Sequence, residues 1–259
     1  MKVKTTLGIS ALLFGSALSA FALNNSATTA APIRPDGSAV TEDFTAAGGP
    51  TAWFVTATVA GQSYVVEVES PFSGTPALGG RVNVALTNIA DAALPSTTIT
   101  ACAPTSPYGS VRLAFMGDTS SDRGFVRIAI SNTAGANFTF RVRVLETSLY
   151  CVRWSINGYR SFVDLQNTTD CAVQANVVLL SQFGFTLAVI PVSLNAKAST
   201  QIAITTAMTG GAIVGSAMVN HDGPKGAING GIFQVNSLGG SSFLWPFNEA
   251  RAYGSTSGS

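Results

Sequence analysis

Few residues in this chain have the chemistry to catalyse a reaction. His221 is the sole histidine among 259 residues, and it stands in Asn220-His221-Asp222-Gly223-Pro224. Asp-Gly-Pro there reads as a turn. Nucleophilic hydrolysis needs a base within reach of its nucleophile. Spacing leaves a Ser/His/Asp triad on His221 open, since the partners can come from anywhere in the chain. The plainer reading is a turn-stabilising or exposed histidine. No Gly-x-Ser-x-Gly, His-Glu-x-x-His or phosphate-cradling glycine loop is present.

Glycoside cleavage needs two carboxylates flanking one bond. Glu67 and Glu69 alternate onto one strand face, about 7 Å apart. A solvated strand face explains them more simply. Arg112, Arg127, Arg141 and Arg143 are expected to oppose them as cross-strand pairs of ~0.2–1 kcal/mol each. The same arginines would otherwise form a carboxylate- or sulfate-binding stripe. Asp118 and Asp122 lie in DTSSDR (118–123). They are the calcium candidates, although calcium takes about 6–8 oxygens and a turn rich in Asp and Ser looks the same. Zinc is not expected, because three cysteines and one distant histidine lack tetrahedral spacing. No cofactor is expected. Trp245, Phe247 and Tyr159 are the candidate glycan-contact aromatics, with Pro246 interrupting the strand around the first two. Trp154 falls within a strand and is expected in the core.

The elements that must position these residues are strands. Period-2 alternation between turn signals marks 53–59, 63–70, 81–89, 97–102, 111–116, 125–131 and 137–145. Within them Tyr64, Val66 and Val68 share one face, and Phe138, Phe140, Val142 and Val144 another. Ala60-Gly61, Gly79-Gly80, Gly117-Asp118 and Ala134-Gly135 separate them. The pattern restarts near Ser148 with 150–156, 161–166, 173–180, 187–194, 200–205, 213–219, 231–235 and 242–244. No window holds a 3.6-residue apolar period. The expected fold is all-β, with two β-sandwich (jelly-roll or Ig-like) domains in tandem at 39–147 and 148–253. The linker is short enough that they should touch.

Residues 1–22 read as a secretory signal peptide. Lys2 and Lys4 precede an uncharged apolar run, and Ser19-Ala20-Phe21-Ala22 ends it with small residues. The run falls short of the ~20 residues that span a bilayer. Residues 23–38 read as a flexible lead-in and 254–259 as a disordered tail. The product is therefore expected outside the cytoplasm, secreted or periplasmic, with no transmembrane segment. Losing Lys2 and Lys4 from 14 basic residues leaves 12 against 13 acidic ones. This near-neutral balance gives no reason to expect nucleic acid as a partner. Charged residues make up 10% of the chain, against about 25% in typical soluble domains. So little charge weakens protection against association. In an oxidising compartment a disulfide is plausible. Cys151 and Cys171 suit the two ends of a hairpin, which leaves Cys102 spare; Cys102 with Cys151 is the competing pair.

One stretch resembles a known family. Trp53-Phe54-Val55, then Ala60-Gly61-Gln62-Ser63-Tyr64 running into Val65-Val66-Glu67-Val68, is similar to the opening of the bacterial pre-peptidase C-terminal (PPC) domain. Gly124-Phe125-Val126-Arg127-Ile128 and Phe138-Thr139-Phe140-Arg141-Val142 resemble its closing strands. The second half resembles a C-terminal β-domain of uncharacterised secreted bacterial proteins. The stretches that carry this are 146–151, Trp154, Asn167-Thr168-Thr169, 221–228 and the run from Ser242-Phe243 through Pro246-Phe247 to Arg251. The resemblance implies two small sandwiches, the first jelly-roll-like, and a non-catalytic role linked to binding, secretion or folding. No peptidase domain accompanies them here. The expectation is an adhesive, matrix or assembly protein that meets a cell-surface, matrix or polysaccharide component and can self-associate. The alternatives are a carbohydrate-binding protein and an enzyme of unrecognised type.

Overall fold

The computed structural model describes residues 26–44, 51–69, 82–98, 110–117, 123–133 and 137–249. The expected signal peptide, the tail at 254–259, Cys102, Asp118 and Asp122 lie outside them. The chain runs through β1 (Ala31–Pro32), β2 (Asp36–Phe44), β3 (Thr51–Val59), β4 (Ser63–Glu69), β5 (Val82–Asn88), β6 (Ser96–Thr98), β7 (Ser110–Met116), β8 (Arg123–Asn132) and β9 (Phe138–Glu146). It continues with β10 (Leu149–Ser155), β11 (Tyr159–Asn167), β12 (Val173–Ser181), β13 (Thr186–Leu194), β14 (Ser199–Ile204), β15 (Val214–His221), β16 (Ile228–Asn236), β17 (Ser242–Pro246) and β18 (Asn248–Glu249). The α-helix among the described residues is one turn, Thr206–Thr209. The all-β class holds.

Pairing sorts these strands into four sheets. Sheet A is β1-β3-β8-β5 and sheet B is β2-β9-β4-β7-β6. Sheet C is β13-β12-β15-β10-β18 and sheet D is β14-β11-β16-β17. Sheets A and B each turn one face to a shared core. In it Phe44 stacks on Phe140 at 4.6 Å, and Phe54 meets the Phe140 ring edge-on. Sheets C and D share a second core around Trp154, whose indole N–H donates to the Ser216 carbonyl at 2.8 Å. Gly215 makes room for that indole: a Cβ there would sit 1.9 Å from the Leu180 carbonyl oxygen and 2.7 Å from the Trp154 ring.

Two departures from the sequence expectation have clear causes. The lead-in at 23–38 is not flexible over its later part. Ala31 and Pro32 pair in parallel with Phe54 and Val55, and Ile33 is buried in the first core. The strand from Asp36 to Phe44 escapes period-2 reading because a bulge between Asp36 and Ala39, with Gly37 at φ +84°, breaks its alternation. Strand β10 carries a second bulge. Register shifts between Cys151 and Trp154, so both point inward while Val152 and Arg153 are exposed together.

Candidate functional site

Where sheet B meets sheet C, three buried hydroxyls and an amide join the two sets of strands. The turn before β4 places Gly61 at φ +77°, a conformation glycine adopts without steric cost. The Gly61 carbonyl accepts from Asn220 Nδ2 at 2.6 Å. Ser148 Oγ accepts from the Ser63 backbone N–H at 2.8 Å and donates to Asn220 Oδ1, also at 2.8 Å. Thr147 Oγ1 donates to Ser63 Oγ at 3.0 Å, and the His221 backbone N–H donates to the same oxygen at 3.3 Å. Tyr64 closes the turn: its hydroxyl accepts from the Val59 N–H and donates to Gln62 Oε1. Burial pushes its pKa up to about 12. The residues of the Gly-Gln-Ser-Tyr turn thus act as the join.

A cleft of about 260 Å³ opens beside this join. Pro95 and Met116 stand on its sheet-B wall; Gln174, Asn176 and Asp222 stand on its sheet-C wall. Asp222 Oδ1 accepts from the Gln174 backbone N–H, and Gln174 Nε2 donates to Ser193 Oγ.

His221 borders the cleft, but its register partner is the core residue Ala175. The pleat therefore turns its imidazole to the core side. It is 5% exposed, and its Nδ1 has no hydrogen-bond partner. Burial pulls its pKa down to about 4 against the opposing effect of the Gly223 and Thr147 backbone. A triad histidine needs an Asp on one ring nitrogen. Asp222 instead faces Gln174, and the triad geometry on His221 is not formed among the described residues.

Glu67 and Glu69 are not on a solvated face; they are 4% and 6% exposed. They lie on β4, the central strand of sheet B, and the stems of neighbouring arginines cover them. Arg112 reaches Glu67 Oε1 with Nε at 2.5 Å, and Arg143 reaches Oε2 with Nε at 2.6 Å. Arg141 donates to Glu69 Oε1 at 2.6 Å. Arg127 is the exception: it sits on β8 in sheet A and pairs with Asp91. Both glutamates are occupied by guanidinium donors, which is not the arrangement of a glycosidase pair.

The aromatic candidates also divide. Phe247 is a core residue. Trp245 packs partly against the same core, with its indole N–H donating to Gln234 Oε1 at 3.2 Å. Tyr159 meets Phe243 edge-on at 6.1 Å. An apolar row lies elsewhere, on the outer face of sheet D, with Ala203 and Leu244 exposed and Phe162 and Phe233 half-buried between them. Ala203 pairs with Phe162, Phe162 with Phe233, and Phe233 with Leu244, one residue from each of four adjacent strands. Leu244 is 63% exposed, and the Arg160 guanidinium lies 5.6 Å over the Phe162 ring. The available signal was Phe162, an apolar residue out of phase with the inward Val163 and Leu165.

Cys151 is a free, buried thiol, so neither Cys151–Cys171 nor Cys102–Cys151 forms. The hairpin that suggested the first pair does not exist: β10 and β12 lie in sheet C while β11 between them belongs to sheet D. Cys151 Sγ instead lies 3.4 Å from the Trp245 carbonyl oxygen, and burial raises its pKa. Iodoacetamide should leave Cys151 unlabelled in the native protein. It should alkylate Cys151 after guanidinium unfolding without reductant, as read by peptide mass mapping; equal labelling in both states would contradict the burial.

Asn167 begins an Asn-x-Thr sequon yet is fully buried. Its Nδ2 lies within hydrogen-bonding distance of the Cys171, Leu194 and Asn195 carbonyls, and its Oδ1 accepts from Thr169. No group of three His, Cys, Asp or Glu side chains converges as a metal set among the described residues. No helix among them is long and apolar enough to cross a membrane. No family model matches the chain, and no curated protein matches it either.

Proposed function

We propose that this chain is a non-catalytic binding protein of the cell exterior, secreted or periplasmic, with an adhesive, matrix or assembly role. The observation that carries this is the apolar row Ala203–Phe162–Phe233–Leu244 on the outer face of sheet D. Its ends, Ala203 and Leu244, are exposed and its centre, Phe162 and Phe233, half-buried, and contiguous apolar surface reaching solvent marks an interaction site more often than scattered single residues do. Low charge across the chain supports the same reading. The proposal includes export by the signal at residues 1–22. It also includes two tandem β-sandwich domains, the first PPC-like, and support for these comes from the two separate cores.

The mature chain is expected to be retained on its own cell envelope or matrix material in a pull-down. Leu244→Asp should lower retention about tenfold or more, the size of losing one apolar anchor, with the thermal midpoint unchanged. Full retention by that variant would remove sheet D from the proposal. The carbohydrate-binding alternative passes from Trp245 and Phe247, which face the core, to the cleft between sheets B and C.

A further inference from the structure

We infer that the cleft between sheets B and C is a binding site for one ring, or a short run, of an uncharged sugar. This rests on the carbohydrate-binding alternative and is independent of the sheet D surface.

The wall chemistry selects the ligand. The Asn176 side chain is exposed and makes no hydrogen bond among the described residues, so both its donor and its acceptor face the cleft unspent. Gln174 uses Nε2 on Ser193 and keeps Oε1; Asp222 uses Oδ1 on the Gln174 N–H and keeps Oδ2. These groups offer one amide N–H₂ and three oxygen acceptors along adjacent strands. A hydroxyl donates and accepts at one atom, so a polyol satisfies such a mixed set where a simple ion does not. No Lys or Arg among the described residues lines the cleft, and Asp222 disfavours an anionic sugar.

The opposite wall supplies the other half of sugar recognition. Met116 is 40% exposed, and Pro95 stands beside it. Their apolar surface faces the amides and suits the C–H face of a ring. The volume, about 260 Å³, lies just under the ~300–1,000 Å³ of sites for drug-sized ligands, which limits the occupant to one or two rings.

The walls are also held before any ligand arrives. Asn220, two residues before Asp222, is fixed between Gly61 and Ser148. Gln174 is fixed by Ser193. A site held in this way loses less conformational freedom on binding. A ligand of about a dozen heavy atoms should then bind with a Kd on the order of 1 mM.

The test is titration of isotope-labelled mature protein with glucose, galactose, mannose, N-acetylglucosamine and cellobiose, followed by NMR. At least one should give saturable shifts of the Asn176 and Gln174 side-chain amides. Asn176→Ala should raise that Kd about tenfold with an unchanged thermal midpoint, and Met116→Ser should raise it as well. If a sugar binds but neither variant weakens it, the cleft assignment is wrong and the carbohydrate reading stands. If none of the five gives saturable shifts, the cleft and the carbohydrate reading fall together, while the Leu244 experiment still judges the sheet D surface.

Discussion

Glu67→Ala should destabilise the protein by about 3–5 kcal/mol in urea unfolding at neutral pH. The carboxylate is held from both sides, by Arg112 of β7 and Arg143 of β9, and the Arg112 side chain is only 12% exposed. Removing Glu67 strands the Arg112 guanidinium where water reaches it poorly, while Arg143, 33% exposed, keeps Glu69 Oε2 at 4.0 Å. Glu69→Ala is the internal comparison. Its partner Arg141 is 41% exposed, so water takes over much of the lost interaction and the expected cost is about 1 kcal/mol. Replacing Glu67 and Arg112 together with apolar residues should cost less than Glu67→Ala alone, because no unpaired charge remains on that side. Equal, small losses for Glu67→Ala and Glu69→Ala would show that water reaches the Glu67 pair after all.

The second large effect is a loss of stability in acid that depends on His221. Its pKa is about 4 in the folded chain, against 6.5 for a free histidine. Between those values the unfolded chain holds a proton at this site that the folded chain does not, so falling pH favours unfolding. The stability tied to the neutral ring is complete above pH about 6.5 and is lost by pH about 4, an amount near 3 kcal/mol. Glu42 and Glu146 act in the opposite sense. Burial raises both carboxyls, so the folded chain takes up their protons first and gains stability as pH falls. The wild-type profile is therefore a sum, and the difference between wild type and His221→Gln isolates the ring. That difference should shrink by about 3 kcal/mol from pH 7 to pH 4. Parallel profiles for the two proteins would show that the ring is solvated.

The acid sensitivity has a structural address. The His221 backbone N–H bonds Ser63 Oγ within the buried join between sheets B and C. Protonating the ring strains the segment that also carries Asn220 and Asp222. Saccharide binding in the cleft should accordingly be measured above pH about 6.5, where the join is intact.

Strand positions were largely legible in the sequence. The alternation of Tyr64, Val66 and Val68, and of Phe138 through Val144, reports a pleat that is local to a few residues. The polar face of β4 was misjudged for a related reason. Glu67 alternates correctly, but alternation says only which face a residue shares, not what covers that face. The arginines that bury it come from 45 and 76 positions away in sequence. Strand β2 was missed because its bulge breaks the period on which strand reading depends.

The chemical inventory was settled by the sequence alone: one histidine, three cysteines, few charges, and strand-length alternation with no helical period. Those are properties of composition and of neighbouring residues. The tertiary structure decided how that inventory is spent. It assigned β10, β11 and β12 to alternating sheets, which left Cys151 a free thiol in a core. It turned Trp245 and Phe247 inward and lined up Phe162, Phe233 and Leu244 outward. It also carried Asn220 to Gly61 across 159 positions, making the join beside which the cleft opens. Sheet order and register set these outcomes, and both depend on pairings between strands far apart in the chain, which a period read within one strand does not contain.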